Sequence, residues 1–215
     1  MESQVRGGTR WKRFAVVMVP SVAATAAIGV ALAQGALAAS FSVSGQSFKV
    51  TADRLEANEG FSQYGAIDSG YTLKGEKTAH PVAVSAFNQA TITKMCQSVV
   101  TPDIPLLGSV TLRLEAGGGK EPVEAKQLYI DVEDLEADAT FTDMNIGVAA
   151  GDLKNGPGPG MKGGKEQANP YGFGQQAGTA VLTGVKQTAW ATTAGTFKLS
   201  GLSMKLSRGT KAECY

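Results

Sequence analysis

Val110, Thr111, Leu112, Arg113 and Leu114 alternate apolar and polar side chains over five consecutive positions. A period of two sends one set of side chains to a core and the other to water, the pattern of a half-buried β-strand. The same rhythm recurs upstream, in Phe41 and Val43, in Phe48, Val50 and Ala52, and in Val82, Val84 and Ala86 before Phe87. Downstream it returns in Leu128, Ile130 and Val132, then in Met144, Ile146 and Val148. Phe197 and Leu199, and finally Leu202, Met204 and Leu206, close the series. Turn formers separate the runs, among them Gly70, Gly75, Gly117 to Gly119 and the pair Gly151 and Asp152, as a meander or sandwich requires. No helical period of comparable length follows residue 40. The sequence predicts an all-β fold, a single antiparallel β-sandwich or elongated β-roll domain over residues 40–215, preceded by an N-terminal apolar helix.

A local echo bears on the choice between sandwich and roll. Asp53 to Ala57, Asp134 to Asp138 and Asp143 to Gly147 each pair a polar residue with Leu or Met and an apolar residue two further on. Gly201 to Met204 repeats the idea with glycine. Short similar strands of this kind can stack into a roll whose apolar interior accepts a lipid chain. The echo has no fixed period, however, and ordinary sandwich strands read the same way.

At 215 residues the chain is long enough for one domain with a sizeable core. Hydrophobic residues make up 43% and charged residues 18%, too apolar for a disordered chain. With 20 Lys and Arg against 19 Asp and Glu, there is no basic excess to neutralise a run of phosphates. Nucleic acid is therefore not an expected partner. His80 is the lone histidine, and Cys96 and Cys214 are the two cysteines. Without CxxC or HExxH they cannot supply a zinc site, and no metal or cofactor is expected.

The N-terminus points outward. Arg6, Arg10, Lys12 and Arg13 precede a charge-free stretch from Phe14 to Ser40. Positive charge followed by an apolar run is the signature of an export signal or signal anchor, with the basic end kept cytoplasmic. Phe14 to Ala33 spans 20 residues, enough for a transmembrane helix across about 30 Å of hydrocarbon. Pro20, Gly29 and the many alanines keep the run only moderately hydrophobic, and small-x-small cleavage sites follow at Ala31 to Ala33 and Ala36 to Ala38. Residues 1–39 are thus read as a signal peptide or signal anchor, with the membrane as partner through this segment. A buried core helix would need a helix without a polar face. Removing residues 1–39 takes away four bases and one acid and leaves a net charge of −2. That offers no polybasic surface for anionic lipid headgroups.

Two cysteines in an exported domain are most simply read as one disulfide, Cys96 to Cys214. The functional alternative, a nucleophilic Cys96, would have only His80 as a base. The stretch from Lys154 to Pro170 alternates Gly and Pro without apolar periodicity, which predicts an exposed flexible loop. It lacks GxxxxGK[ST] and so does not read as a phosphate cradle. Asp131, Glu133, Asp134, Glu136 and Asp138 form the densest acidic patch. Alternation would place Asp131 and Glu133 on one strand face, as calcium ligands or, more simply, solvated. Glycosidase chemistry would need a sugar-lined cleft, and Trp190 with a few tyrosines is little to line one.

Several stretches resemble a known group. Thr9 to Phe14, Gly35 to Gly45, Gly60 to Gly65, Cys96 to Val100, Gly172 to Gln176, Lys186 to Gly195 and Glu213 to Tyr215 are similar to an uncharacterised family of exported actinobacterial proteins, common in Streptomyces. Its members often carry the genome label "cholesterol esterase", which the resemblance brings without catalytic residues. A serine esterase needs an activated Ser, a His base and an orienting acid. GxSxG is absent, and Gly60 to Gly65, which contains Ser62, is one residue too long. The candidates that remain are Ser62, His80 and Asp68. His80 precedes Pro81 in what reads as a loop leading into a strand.

Three function classes follow. The residues favour a non-catalytic interaction or structural module of the cell envelope, displayed outside the cytoplasm and with a membrane-protein partner. A lipid-binding carrier would show an apolar cavity. An esterase would show Ser and His within hydrogen-bond reach beside an oxyanion pocket.

Overall fold

The computed structural model describes residues 44–159 and 168–215. The apolar segment 14–33 and the proposed cleavage sites lie outside the described residues. Among the described residues no helix is long and apolar enough to cross a membrane. The domain is built almost wholly of strands, as the alternation predicts.

Ten strands run in chain order: β1 Phe48–Ala57, β2 Phe61–Tyr71, β3 Lys77–Thr93, β4 Met95–Ile104 and β5 Gly108–Ala116. The second half holds β6 Val123–Thr142, β7 Asn145–Ala149, β8 Phe173–Ala177, β9 Thr179–Lys198 and β10 Ser203–Arg208. All belong to one antiparallel sheet ordered β10-β5-β4-β1-β9-β6-β3-β2-β8-β7. A further pairing, β1 with β3, closes the middle of that sheet on itself. Arg54 to Glu56 of β1 face Thr91 to Thr93 of β3, whereas Lys49 to Thr51 face Cys96 to Ser98 of β4. One side of β1 is therefore shared by two consecutive strands. The chain bends between them at Lys94, whose φ is 50° and whose amide donates to Gly117 O at 2.9 Å. Strands β1, β9, β6 and β3 thus form a ring, from which β4-β5-β10 and β2-β8-β7 extend as two wings.

The ring interior is the main core. It gathers Val50, Leu55, Phe87, Leu128, Ile130, Leu182 and Val185, each 8% exposed or less. Two long strands keep their apolar residues pointing inward by local insertions. On β9 the buried set runs Ala180, Leu182, then Val185 and Ala189, and the phase slips by one at Gly184, whose φ is +62°. On β6 Ala125 and Leu128 are both buried across Gln127, which has φ 50°. A strict alternation would have turned half of each strand inside out, and the left-handed residues absorb the extra position.

A second, smaller core lies on the outer face of β2, β3 and β6. Tyr64, Ala66, Val82, Val84, Ala86 and Tyr129 pack there under Ala150, with Leu153, Ala168 and Trp190 against them. Sheet faces are thus buried on both sides at β3. The start of the predicted Gly/Pro loop supplies part of this cover. Lys154 N and Asn155 N donate to Gln176 Oε1 at 2.6 and 2.9 Å, and Pro157 is fully buried. Glycine and proline here permit close packing: a Cβ on Gly156 would stand 2.5 Å from the backbone of Phe61 and Ser62. The first residues of the loop are a strap on β2.

The C-terminal residues cover one face of the β4-β5 wing. Cys96 and Cys214 form a disulfide with Cα atoms 5.9 Å apart. Cys214 N donates to Ser98 Oγ at 3.0 Å, Arg113 donates to the Glu213 carbonyl at 3.0 Å, and Lys49 pairs with the Glu213 carboxylate at 3.0 Å. On β10, Met204 and Leu206 are 62% and 69% exposed.

Candidate functional site

The esterase candidates lie on the outer face of β2 and β3. Asp68 and His80 are direct cross-strand partners, while Ser62 is paired with Ala86. Six positions separate the two pairs along the strand, roughly 20 Å at about 3.3 Å per residue. Ser62 is fully buried and its hydroxyl donates to Pro157 O at 2.5 Å. The structure therefore brings Asp68 to His80 and does not bring Ser62 to either. We expect Ser62→Ala to cost about 1–3 kcal/mol of stability, because it strips a buried carbonyl of its donor. A urea melt checks this, and an unchanged midpoint would mean that the strap is held without that bond.

His80 lies within β3, where a loop was expected. β3 gains its second partner, β6, only from Ala83 onward, so Pro81 sits where one side of the strand is unpaired. Proline lacks a ladder donor and is tolerated at such an edge. The His80 ring stacks on Trp190 with centroids 3.5 Å apart and 16° between planes. Of the acidic patch, Asp131 is fully buried on this face while Glu133, Asp134, Glu136 and Asp138 are exposed. The β6-β9 ladder slips on both sides of Val132, so Asp131 and Glu133 meet different surroundings. No cluster of three acidic, His or Cys side chains suited to a metal ion occurs among the described residues. Asp53, as hydrogen-bond acceptor and then as neighbouring charge, raises the pKa of Lys94 on the exposed surface. That pair is remote in chemistry from either core.

A different place has the form of a binding site. Between β1, β2, β3, β6 and β9 lies a cavity of about 140 Å³. Its apolar walls include Leu55, Phe61, Phe87, Ile130, Phe141 and Leu182. Phe61 anchors them, with ring centroids 5.3 Å from Phe87 and 5.1 Å from Phe141. Leu135, 37% exposed, and Ala139 stand at the rim, so the cavity reaches the surface along β6. Three polar residues face it: Gln63, Ser85 and Gln187. Gln63 Nε2 donates to Ser85 Oγ at 2.9 Å, and Gln175 Nε2 donates to Gln63 Oε1 at 2.5 Å. A neighbouring void of about 20 Å³, bordered by Val50, Met95 and Leu128, also touches Gln187. None of these polar residues stands out in the sequence. Gln187 would be found by carrying the inward phase of β9 from Val185 to Ala189, which requires knowing where Gly184 resets it.

An all-β domain whose sheet closes into a ring around an apolar cavity, with a disulfide holding its C-terminus, is the class these features define. The chain belongs to a family of unknown function, DUF6230, whose family model matches residues 44–215. No curated protein and no solved structure matches the chain.

Proposed function

We propose that the domain is a non-catalytic binding module of the cell envelope that takes an apolar group into the cavity of its sheet ring. The cavity carries this reading. At about 140 Å³ it is close in size to an engineered cavity of about 150 Å³ that binds benzene. It accommodates one aromatic ring or the end of an alkyl chain, and a four-ring sterol nucleus exceeds it. Placement outside the cytoplasm is supported by the basic-then-apolar N-terminus and by the disulfide. The esterase reading has less behind it, because Ser62 serves the strap and lies far from His80 along β2 and β3.

The test is thermal melting of the protein with benzene. A ligand at a hundred times its Kd stabilises by about 2.7 kcal/mol. We expect a rise in Tm in the wild type and little or none in Val185→Phe, which narrows the cavity. Equal behaviour of the two proteins would retire the reading.

A second reading, a module that engages an envelope membrane protein, is favoured by β10. This strand closes one end of the sheet order and exposes Met204 and Leu206. An open edge with apolar side chains is suited to strand addition by a partner.

A further inference from the structure

We infer that the cavity selects an uncharged amphiphile, an apolar group of about one aromatic ring carrying one hydrogen-bonding oxygen, and that Ser85 and Gln187 read that oxygen. This rests on the cavity being a ligand site.

Two largely buried polar side chains at the cavity, Ser85 and Gln187, have hydrogen-bonding capacity to spare. Ser85 is 5% exposed; its Oγ accepts from Gln63, and its proton goes to no acceptor among the described residues. The ladder from Gln175 through Gln63 holds this arrangement, since Gln63 uses its carbonyl on Gln175 and its amide on Ser85. The Ser85 hydroxyl is thereby left as a donor. Gln187 is 6% exposed and its side-chain amide makes no hydrogen bond among the described residues. A few polar groups facing an otherwise apolar cavity fix how a ligand sits in it, so Ser85 and Gln187 mark where a polar atom of a ligand belongs.

The charge of that atom follows from the walls. None of the thirteen lining residues is charged. A carboxylate or ammonium would enter without a counter-ion, which a low-dielectric site penalises heavily. A pure hydrocarbon would fill the volume but leave Ser85 and Gln187 without partners. An alcohol, phenol or carbonyl oxygen satisfies both restrictions.

Phenol, benzene and benzoate share one ring and differ in the head, so they separate the possibilities. The full-length protein, with leucine, valine and isoleucine methyls labelled, is titrated with each while the shifts of Leu55, Ile130, Leu182 and Val185 are followed by NMR. Phenol should bind at least as tightly as benzene despite its stronger hydration, and benzoate should not bind. Ser85→Ala and Gln187→Leu should each weaken phenol about fivefold, the worth of one net hydrogen bond, and leave benzene binding intact. Retained benzene binding also shows that the variants are folded. Equal loss for both ligands, no loss for phenol, or tightest binding of benzoate would overturn the inference while leaving the cavity reading in place. Failure of all three probes would overturn the cavity reading itself, and this inference with it.

Discussion

Breaking the Cys96–Cys214 bond should lower the unfolding free energy by about 4–5 kcal/mol, the loop-closure value for residues 118 apart. In a domain of this size each kcal/mol moves the melting temperature by about 2–4 °C, so a fall of roughly 10–20 °C is expected for a Cys96→Ser, Cys214→Ser protein. The structure adds a local component to the chain-entropy argument. The bond secures the C-terminal residues over buried Ser98 and Thr111, and Thr111 Oγ1 donates to Gly209 O at 2.6 Å. With the tail free, Ser98 loses its bond to Cys214 N and Arg113 its bonds to the carbonyls of residues 212 and 213, keeping only the pair with Glu115. Adding Arg113→Ala to the double cysteine variant tells the two contributions apart. If tail docking survives without the bond, the arginine change costs as much in the variant as in the wild type; if the bond is what docks the tail, it costs little there. A total loss below about 1 kcal/mol would mean that the reduced unfolded chain is already as restricted as the oxidised one, and the loop argument fails.

The strands were legible because period two survives in short runs. Val110 to Leu114, Val82 to Phe87 and Leu128 to Val132 each became part of a strand. Closure of the ring was not legible, since it depends on β1 exchanging partners between β3 and β4 at a bend marked only by Lys94, an ordinary lysine in a left-handed conformation. His80 misled for a related reason: Pro81 signals a break, but one side of β3 is unpaired there and the proline is accommodated. The Gly/Pro stretch from Lys154 shows the limit of composition. Residues that prevent regular structure also permit close approach, and Gly156 and Pro157 use that freedom to lie on β2. The cavity was visible only as a general apolar interior. Its polar residues were not, because Gln63, Ser85 and Gln187 look like solvent-facing strand residues until register places them inside.

The strap also yields the second large effect. Gly60→Ala should destabilise by about 2–5 kcal/mol, from a left-handed backbone that disfavours a side chain and from overpacking. Gly60 has φ +81°, and an added Cβ would stand 1.6 Å from Asn155 O and 2.8 Å from Asn88 Nδ2. The first contact is with backbone, so no side-chain rotation relieves it. Gly60 is also held from both directions, its amide donating to Gly178 O at 2.9 Å and its carbonyl accepting from Asn88 N at 3.3 Å. Relief must therefore come from Asn155, which means lifting the strap from Ser62 and the outer core. Gly65→Ala is the control: it lies on β2, just beyond Gly60, is exposed, and meets nothing within 4 Å. That change should be neutral to within about 0.5 kcal/mol. Urea melts of the two variants decide the matter. If Gly60→Ala falls as little as Gly65→Ala, the strap yields without cost and is not part of the stabilising structure. If it falls as expected, amide exchange should rise first at Ser62 and its neighbours on β2, the positions that lose their cover when residues 154–157 move away.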